Sequence, residues 1–481
     1  MATVNTNHLR VRNAKNLVGT LGTNSYVFVG KPTAWIAGDE VPPTPTNSVS
    51  EYYDVHSQML SMKLLTASDV YHAINRSLWV SGTVYDMYRH DYSITRTAYS
   101  GAANLHNANY YTVNQNNNVY VCLSNAGNGQ STVEPQNLGD EPFYTSDGYQ
   151  WIRLYNLTAD NVADNSTELY IPIATATDND VVVTTAGEIY TVAIENGGAD
   201  FTGNPAGVIN QIPYYYCKIV GDGTGAAARV TVTNGSVSEI EVVRNGSGYT
   251  YATLDFAAGR VYQSLTDLDA ENNALNPLGD GTLSTTVIIP PAGGWGTDLP
   301  TELNASRVMV FSSLAYNETD FSTNVSFRQI GILSGITGGG TTVTTTYAAK
   351  VADGSGDYTI GETISQTVTI DSVDHIAKGL VVGWDADNDV IKYLQDPKLH
   401  ADTDGNLYAF SGSFAITGAD SGKATLPDVA FSGVSGDMTF SVGYASPEVT
   451  KYEGEILYLT NISPVLRQGT QTEKITLVIT Y

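Results

Sequence analysis

The chain has 481 residues, of which 42% are hydrophobic, and this is enough for two or three packed bodies with proper cores. Its 49 Asp and Glu against 23 Lys and Arg give a formal net charge of −26. This charge argues against a protein that grips nucleic acid or an anionic membrane surface, and it favours docking onto basic patches of partner proteins.

Cysteine usage and the N-terminal sequence bear on the compartment. Cys122 and Cys217 are the only cysteines, and two reduced thiols suit assembly in a cytoplasm. The first residues contain no apolar core of signal-peptide length, and no run of about 18 apolar residues occurs. We therefore expect no membrane segment.

The first predicted element after the N-terminal region is a short helix. Ser48 followed by Glu51 has the spacing of a capping box, in which each residue satisfies a free backbone N–H at the start of a helix. Residues 58–65 then alternate imperfectly between apolar and polar, which predicts a strand.

A second capping-box spacing follows at Thr66 and Asp69. Val70 and Ile74 stand one helical turn apart, so this segment is also predicted as a short helix with a narrow apolar edge. Residues 76–92 come next, and their dense aromatic side chains beside Arg and Gly predict a packed structural junction.

The middle of the chain carries clear strand and hairpin signals. Residues 229–246 alternate in strand fashion around Asn234-Gly235 and end at Asn245-Gly246, and Asn-Gly is the strongest short-range hairpin signal. A second hairpin is predicted from residues 380–384 and 390–394.

Candidate chemical motifs have simpler structural explanations. Asp385, Asp387, Asp389 and Asp396 have calcium-loop spacing, but Val390 occupies the glycine position and strands flank the loop, which favours an acidic turn. The glycine-rich run 221–225 leads into a strand pattern and lacks the Lys-Ser/Thr of a phosphate loop. The histidines show no zinc spacing and no nucleophile-elbow motif occurs, so we expect no cofactor, no metal and no enzymatic activity.

Several ordered segments together resemble one known family. They include 13–16 with 24–35, the Pro-rich run 42–48, the junction 76–92, Glu134-Pro135, 147–155, 167–172, 327–330, and 454–458 with 472–475. Spread over about half of the chain and in the same order, they resemble the baseplate wedge protein encoded by gene eight of the T-even bacteriophages.

This resemblance implies a mainly β fold, a layered antiparallel β-sandwich core with two or three short helices and two inserted small β modules. It divides the chain into five segments: 1–175, the first part of the core; 176–300, an inserted β-rich region; 301–335, core strands; 336–435, a second inserted β-hairpin module; and 436–481, the C-terminal strands of the core. It also implies a structural subunit of the phage tail baseplate, assembled in the host cytoplasm and carried in the virion. Its partners would be a second copy of itself, other wedge proteins and fibre proteins, with no nucleic acid and no membrane. The residues that match the family's pattern, as structural or interface candidates, are Arg76, Trp79, Gly82, Thr83, Tyr85, Tyr88, Tyr149, Trp151, Phe327, Arg328, Gln329, Glu455 and Tyr458.

Two other classes remain open at this point. One is a receptor-binding or fibre-attachment tail protein, and the other is a capsule-degrading tail enzyme. Fibres and spikes are usually trimers with long repetitive shafts, and no repeat of fixed period is present in this chain. A depolymerase would need carboxylates that converge in a cleft, which 49 scattered Asp and Glu residues do not reveal.

Overall fold

The computed structural model describes residues 6–157, 166–174, 181–201, 214–277, 279–315, 318, 320–337, 339–352, 357–435 and 438–481. The predicted fold class is confirmed, because the chain is mainly β and its strands form several antiparallel sheets. No helix among the described residues has the length and apolarity needed to cross a bilayer.

The helices of the described residues are short apart from the first. They are α1 Asn7–Leu21, α2 Val49–Gln58, α3 Leu265–Ala270, α4 Leu299–Glu302 and α5 Pro397–His400, with 3₁₀ turns at Ala67–Asp69 and Leu105–Asn107.

The strands of the first half are β1 Ser25–Gly30, β2 Met59–Leu64, β3 Val70–Asn75, β4 Tyr111–Val113, β5 Asn118–Asn125, β6 Phe143–Tyr144, β7 Tyr149–Asn156, β8 Tyr170–Pro172, β9 Val192–Asn196, β10 Tyr214–Gly221, β11 Ala227–Thr233, β12 Ser236–Arg244, β13 Ala252–Leu254 and β14 Val261–Tyr262. Those of the second half are β15 Ser284–Val287, β16 Arg307–Leu314, β17 Ser326–Ser334, β18 Thr342–Thr344, β19 Tyr347–Lys350, β20 Thr363–Ile370, β21 Val373–Asp385, β22 Val390–Leu394, β23 Ile416–Gly418, β24 Ala424–Thr425, β25 Gly433–Ser435, β26 Met438–Phe440, β27 Tyr444–Ala445, β28 Glu455–Leu466 and β29 Glu473–Thr480.

The chain forms two compact units. Unit 1 comprises Met1–Lys15, His72–Val308 and Ile479–Tyr481, and unit 2 comprises Asn16–Tyr71 and Met309–Val478. The five-segment division expected from the sequence stays a prediction. Its boundaries after residues 175 and 435 fall at 175–180 and 436–437, which lie outside the described residues.

Unit 1 contains two main sheets. One has the order β4-β5-β7-β6, and apolar side chains of β5 and β7, such as Val121 and Ile152, are fully buried in its core. The other has the order β12-β11-β10-β13, with β14 also paired to β10, and it has a hydrophobic core of its own around Cys217 and Val230.

Unit 2 is also built on two main sheets. The five-stranded sheet has the order β18-β2-β1-β17-β28, so that β28 is an edge strand and β1 lies in the middle with every residue buried. The seven-stranded sheet has the order β24-β23-β20-β21-β22-β19-β27 and packs its own core around Val381 and Ile391.

Local signals explain several of these elements. Ser48 caps α2 as predicted, since its hydroxyl accepts a hydrogen bond from the backbone N–H of Glu51. The Asn234-Gly235 turn joins β11 to β12 with φ of 52° and 80°, the left-handed pair that a type I′ hairpin turn requires. The hairpin predicted from residues 380–384 and 390–394 is also confirmed, because β21 and β22 pair in antiparallel fashion from Leu380 with Leu394 to Asp385 with Val390.

The second predicted helix is wrong. Thr66 and Asp69 do form the capping box, but they cap only the 3₁₀ turn Ala67–Asp69, and β3 follows immediately. Val70 and Ile74 therefore lie on a strand. Residues four apart share a face in a strand as well as in a helix, so their spacing did not distinguish the two. The segment is a strand because it pairs with β8, where Ala73 lies opposite Pro172.

Candidate functional site

A buried aromatic cluster in unit 1 gathers most of the N-terminal candidate residues. Tyr85, Tyr149 and Trp151 are almost completely buried, and Trp79 packs against them from a partly exposed position. The Tyr149 and Trp151 rings stack with centroids 5.3 Å apart, and the Tyr85 ring meets Trp151 edge-on at 5.5 Å. Offset stacking and edge-on contacts are the favourable arrangements of aromatic pairs, so the cluster is a packed core.

Hydrogen bonds fix the polar ends of these rings. The Tyr149 hydroxyl accepts from the Tyr85 backbone N–H at 3.2 Å and donates to the Gly129 carbonyl at 2.6 Å. The Tyr85 hydroxyl accepts from the Val80 backbone N–H at 2.9 Å. Burial raises the pKa of Tyr149 to about 12, so its hydroxyl stays protonated at neutral pH.

The loop before Tyr85 is tied to Ser131. The Trp79 indole N–H donates to the Ser131 hydroxyl at 3.0 Å, and the Gly82 N–H donates to the Ser131 carbonyl at 2.7 Å. Gly82 has φ of +87°, which glycine adopts without strain. Thr83 accepts the Ser131 N–H through its own carbonyl. These hydrogen bonds therefore tie the loop before Tyr85 to Ser131, and the predicted role of the candidate residues in 76–92 stays a prediction.

Tyr88 and Arg76 lie outside this cluster. Tyr88 belongs to the neighbouring core of unit 1, where its ring packs edge-on against Trp295 with centroids 4.6 Å apart. Burial raises the pKa of Tyr88, so this hydroxyl also stays protonated. Arg76 lines a separate cleft.

The C-terminal candidates gather on β17 and β28 of unit 2. Arg328 is buried. Its guanidinium donates two hydrogen bonds to the Asp39 carboxylate, from Nε to Oδ1 at 2.8 Å and from Nη2 to Oδ2 at 2.7 Å. A third bond runs from Arg328 Nη1 to the Pro32 carbonyl at 2.7 Å. The hydrogen bonds from Arg328 lower the pKa of Asp39 to about 2, so the carboxylate stays ionised at neutral pH.

Gln329 anchors the same region from the neighbouring position. Its side-chain amide donates to Asn461 Oδ1 on β28 at 2.9 Å, and Asn461 Nδ2 donates to the Pro43 carbonyl at 2.8 Å. The Trp35 indole N–H adds a bond to the Ile462 carbonyl at 3.3 Å. We call residues 31–48 the anchored segment, because β17 and β28 hold it at several points although it contains no helix or strand.

The anchored segment presents apolar side chains to solvent. Ile36 is fully exposed and Val41 is 76% exposed. The segment contains four prolines, including Pro42, Pro43 and Pro45, which favour an extended backbone and reduce the entropy lost on binding. An exposed apolar segment held rigidly at its base has the properties of a docking element.

The free edge of β28 lies beside this segment. Tyr458 pairs with Ile332 of β17 and Glu455 pairs with Ser334, whereas the opposite edge of β28 has no strand partner in the described part of unit 2. Residues 456–466 contain no charged side chain. Leu457 and Leu466 are partly exposed, at 38% and 48%. Phe327 and Tyr458 also line an apolar groove of about 480 Å³ against β29.

The acidic and glycine-rich motifs of the sequence make local structural hydrogen bonds. The Asp385 carboxylate accepts from the backbone N–H of Asp387 at 3.1 Å and of Asn388 at 3.2 Å, which is the acidic turn that the sequence predicts. The loop 221–225 joins β10 to β11, and Asp222 in it accepts from the Thr250 backbone and hydroxyl. Among the residues that the structure describes, no three His, Cys, Asp or Glu side chains are grouped to hold a metal ion.

The candidate residues thus fall into four places: the aromatic cluster, the neighbouring core that holds Tyr88, the β17–β28 region and the cleft of Arg76. Sequence reasoning missed Asp39 and Asn461, which connect Arg328 and Gln329 to the anchored segment. Neither stands in a recognisable motif, and no local pattern shows that Asp39 pairs with an arginine 289 positions away.

No protein-family model matches this chain, and no curated protein matches it either. The function is therefore argued from the residues and the geometry described above.

Proposed function

We propose that this chain is a structural subunit of a contractile phage tail, a baseplate wedge protein that forms a homodimer and docks onto other wedge proteins. The observation that carries the proposal is the uncharged free edge of β28 beside the anchored segment in unit 2. The resemblance in the sequence supplies the family, and the position of its residues at this edge supports a role in binding.

Charge limits where two copies of this chain can meet. With a net charge of −26, most of the surface of one copy repels the same surface of another. A two-fold contact places each residue near its own counterpart, so any charge at the centre of the contact is doubled. The run 456–466 carries no charge, and it therefore provides a place where two copies can approach without repulsion.

The geometry of β28 also suits a second copy. An edge strand exposes unpaired backbone N–H and C=O groups, and an identical strand can pair with them in antiparallel fashion about a two-fold axis. Pairing along β28 would bring Leu457 and Leu466 under cover together with Ile36 and Val41 of the anchored segment. Such a contact would have an apolar centre, as stable interfaces do, and a stable interface buries about 800 Å² on each partner.

The remaining acidic surface would face other proteins. Wedge neighbours with basic patches would be attracted to it at long range, and the apolar dimer contact would set the geometry. The buried aromatic cluster contributes by keeping unit 1 rigid. The proposed function consists of binding to other proteins and breaks no covalent bond.

The first test is the mass of the purified protein in solution, measured by light scattering on a sizing column. A dimer is expected. A monomer at micromolar concentration would overturn the dimer, and a stable trimer would replace the proposal with a receptor-binding or fibre-attachment protein.

The second test asks whether β28 is the contact. The double variant Leu457→Lys, Leu466→Lys places two cations on the free edge and is expected to be monomeric. The matched control is Val373→Lys, Val434→Lys, which changes two exposed valines of other sheets of unit 2, 54% and 70% exposed, and should stay dimeric. Equal masses for both double variants would exclude this edge as the contact.

The assignment to the baseplate needs its own experiment. Tails purified from virions that contain this protein should yield it in baseplate fractions, in a fixed ratio to the other wedge proteins. Recovery only with fibres, or only with capsids, would contradict the wedge assignment while leaving the dimer result standing.

A further inference from the structure

Arg76 lies in a polar cleft of unit 1 that the proposed function does not use. The cleft has a volume of about 630 Å³ and lies between the end of β3, the 3₁₀ turn Leu105–Asn107 with the start of β4, and the start of β16. A volume of this size is typical of sites for small molecules.

Two guanidinium groups line the cleft. Arg76 and Arg307 have no carboxylate of a described residue within 4.0 Å, whereas eight other arginines of the described chain form ion pairs. The Nε atoms of both Arg76 and Arg307 are buried, and each lacks a hydrogen-bond partner among the described residues. An unpaired buried donor is costly, particularly in a chain with an excess of 26 acidic groups.

The position of Arg307 is fixed before any ligand binds. Its guanidinium carbon lies 4.8 Å from the centre of the Tyr170 ring, which is a cation–π contact. The Tyr111 hydroxyl in the same cleft donates to the Asn75 carbonyl at 3.2 Å. A guanidinium held in one orientation binds a planar carboxylate with little loss of entropy, through paired N–H donors.

Amide side chains supply the rest of the polar lining. Asn107, Asn109 and Asn304 face the cleft, and the Oδ1 atom of Asn304 is buried without a hydrogen-bond partner in the described chain. Amides both donate and accept, which suits the hydroxyl groups of a sugar. Glu168 also lines the cleft but is exposed and forms no ion pair with either arginine, so the local charge is positive.

His106 completes the set of titratable groups at the cleft. Burial lowers the pKa of His106, as does the neighbouring His8, whose ring lies edge-on to it at 5.4 Å. The imidazole is therefore neutral at pH 7, and its Nδ1 atom is buried without a partner among the described residues. It offers a hydrogen bond without adding charge.

We propose that this cleft binds a carboxylate-bearing saccharide of one or two sugar units. The carboxylate would pair with Arg76 and Arg307, and the sugar hydroxyls would bond to the asparagine amides. The rings of Tyr111 and Tyr170, which line the cleft, would cover the apolar face of a sugar ring, as aromatic side chains commonly do. The amide-rich lining favours a saccharide over an acidic peptide, which would place apolar or further charged side chains against these amides.

The experiment measures binding of digalacturonate to the full chain by calorimetry and by saturation-transfer NMR. Its methyl ester, which has the same sugar ring without the charge, is the matched control ligand, and inorganic phosphate and an Asp-Glu dipeptide test other anions. Binding of digalacturonate at least about tenfold tighter than its ester is expected, since a bidentate guanidinium–carboxylate pair contributes more than one neutral hydrogen bond. Equal binding of acid and ester, or preference for phosphate or the dipeptide, would overturn the proposal.

Three variants locate the site. Arg307→Gln should weaken digalacturonate binding about tenfold or more through loss of the charged pair, while Arg260→Gln, at an exposed arginine of the same unit, should leave it unchanged. Asn304→Asp is the sharpest test, because it adds a carboxylate of the protein to the lining of the cleft with almost no change of shape. It should abolish digalacturonate binding while the protein stays folded. Full binding by Asn304→Asp would exclude this cleft, and none of these results bears on the dimer.

Discussion

Arg328 and Asp39 are separated by 289 positions in the sequence, yet they form a two-pronged ion pair with N–O distances of 2.8 and 2.7 Å. Arg328 also holds the Pro32 carbonyl, so one guanidinium fixes the base of the anchored segment at two points. The segment has no secondary structure of its own, and its order depends on these bonds and on those from Asn461 and Trp35.

Replacing Arg328 by lysine should release the anchored segment. Lysine keeps the charge but cannot form two parallel N–H bonds to one carboxylate. Cleavage of residues 31–48 in limited proteolysis should become about tenfold faster, since cleavage follows the population of the open segment. The matched control is Arg260→Lys, which alters an exposed arginine paired with Asp255. Equal cleavage rates for both variants would show that Arg328 does not anchor the segment.

The same pair makes a prediction about pH. The hydrogen bonds from Arg328 lower the pKa of Asp39 from 3.8 to about 2 in the folded protein. A lowered carboxyl pKa contributes stability that is complete above pH 3.8 and is lost as the pH falls towards 2. Protease sensitivity of the anchored segment should therefore rise over this interval, using an acid-active protease. An Asp39→Asn protein should already be sensitive at pH 5 and should change little on further acidification.

The aromatic cluster should carry a large part of the stability of unit 1. Trp151→Ala removes a fully buried indole and should lower the free energy of unfolding by about 3–5 kcal/mol. Trp79→Ala removes a partly exposed ring and its bond to Ser131, so a smaller loss that still impairs folding or assembly is expected. Both are measured by denaturant unfolding. Trp79→Ala protein that is as stable and as competent in assembly as the wild type would contradict this role.

Tyr149→Phe separates packing from hydrogen bonding in the same cluster. The substitution keeps the stacked ring and removes a hydroxyl that bonds to Gly129 and Tyr85. A loss of about 1–2 kcal/mol is expected, because the buried backbone groups of both partners lose that bond.

Local chemistry explains what could be predicted from the sequence. The Asn234-Gly235 turn and the Ser48 cap depend on a few adjacent residues, and both appear as expected. The helix predicted for Thr66–Asn75 is wrong because a capping box and an apolar pair four residues apart fit a 3₁₀ turn followed by a strand equally well. The pairing of β3 with β8, about a hundred residues away, decided between them. Arg76 and Arg307 line one cleft, and Arg328 pairs with Asp39, only because of the tertiary structure, which no local pattern encodes.

Two glycines provide a matched test of backbone conformation. Gly235 sits in the hairpin turn with φ of +80°, so Gly235→Ala should destabilise the protein by about 1 kcal/mol, although an added Cβ would meet only ordinary contacts, the nearest to the Asp200 backbone N at 3.6 Å. Gly19 lies inside α1 with ordinary helical φ and nothing near its missing Cβ. Gly19→Ala should therefore stabilise by about 0.5–1 kcal/mol through lower entropy of the unfolded chain. The same sign for both variants in denaturant unfolding would refute the left-handed turn.

The acid sensitivity of the whole chain should come partly from two histidines, His56 in unit 2 and His72 in unit 1. Burial lowers the pKa of each to about 4, with further lowering by Lys451 near His56 and by Lys15 near His72. The unfolded chain binds protons near pH 6.5 while the folded chain does not, so stability is complete above pH 6.5 and is lost as the pH falls towards 4.

This acid effect can be separated from that of the carboxylates by its pH range. Denaturant midpoints should fall steadily between pH 6.5 and 4, well above the range in which Asp39 titrates. His56→Gln and His72→Gln should each flatten this dependence even if they lower stability at pH 7, because glutamine takes up no proton. If the slope between pH 6.5 and 4 is the same in both variants as in the wild type, His56 and His72 do not remain neutral in the folded protein.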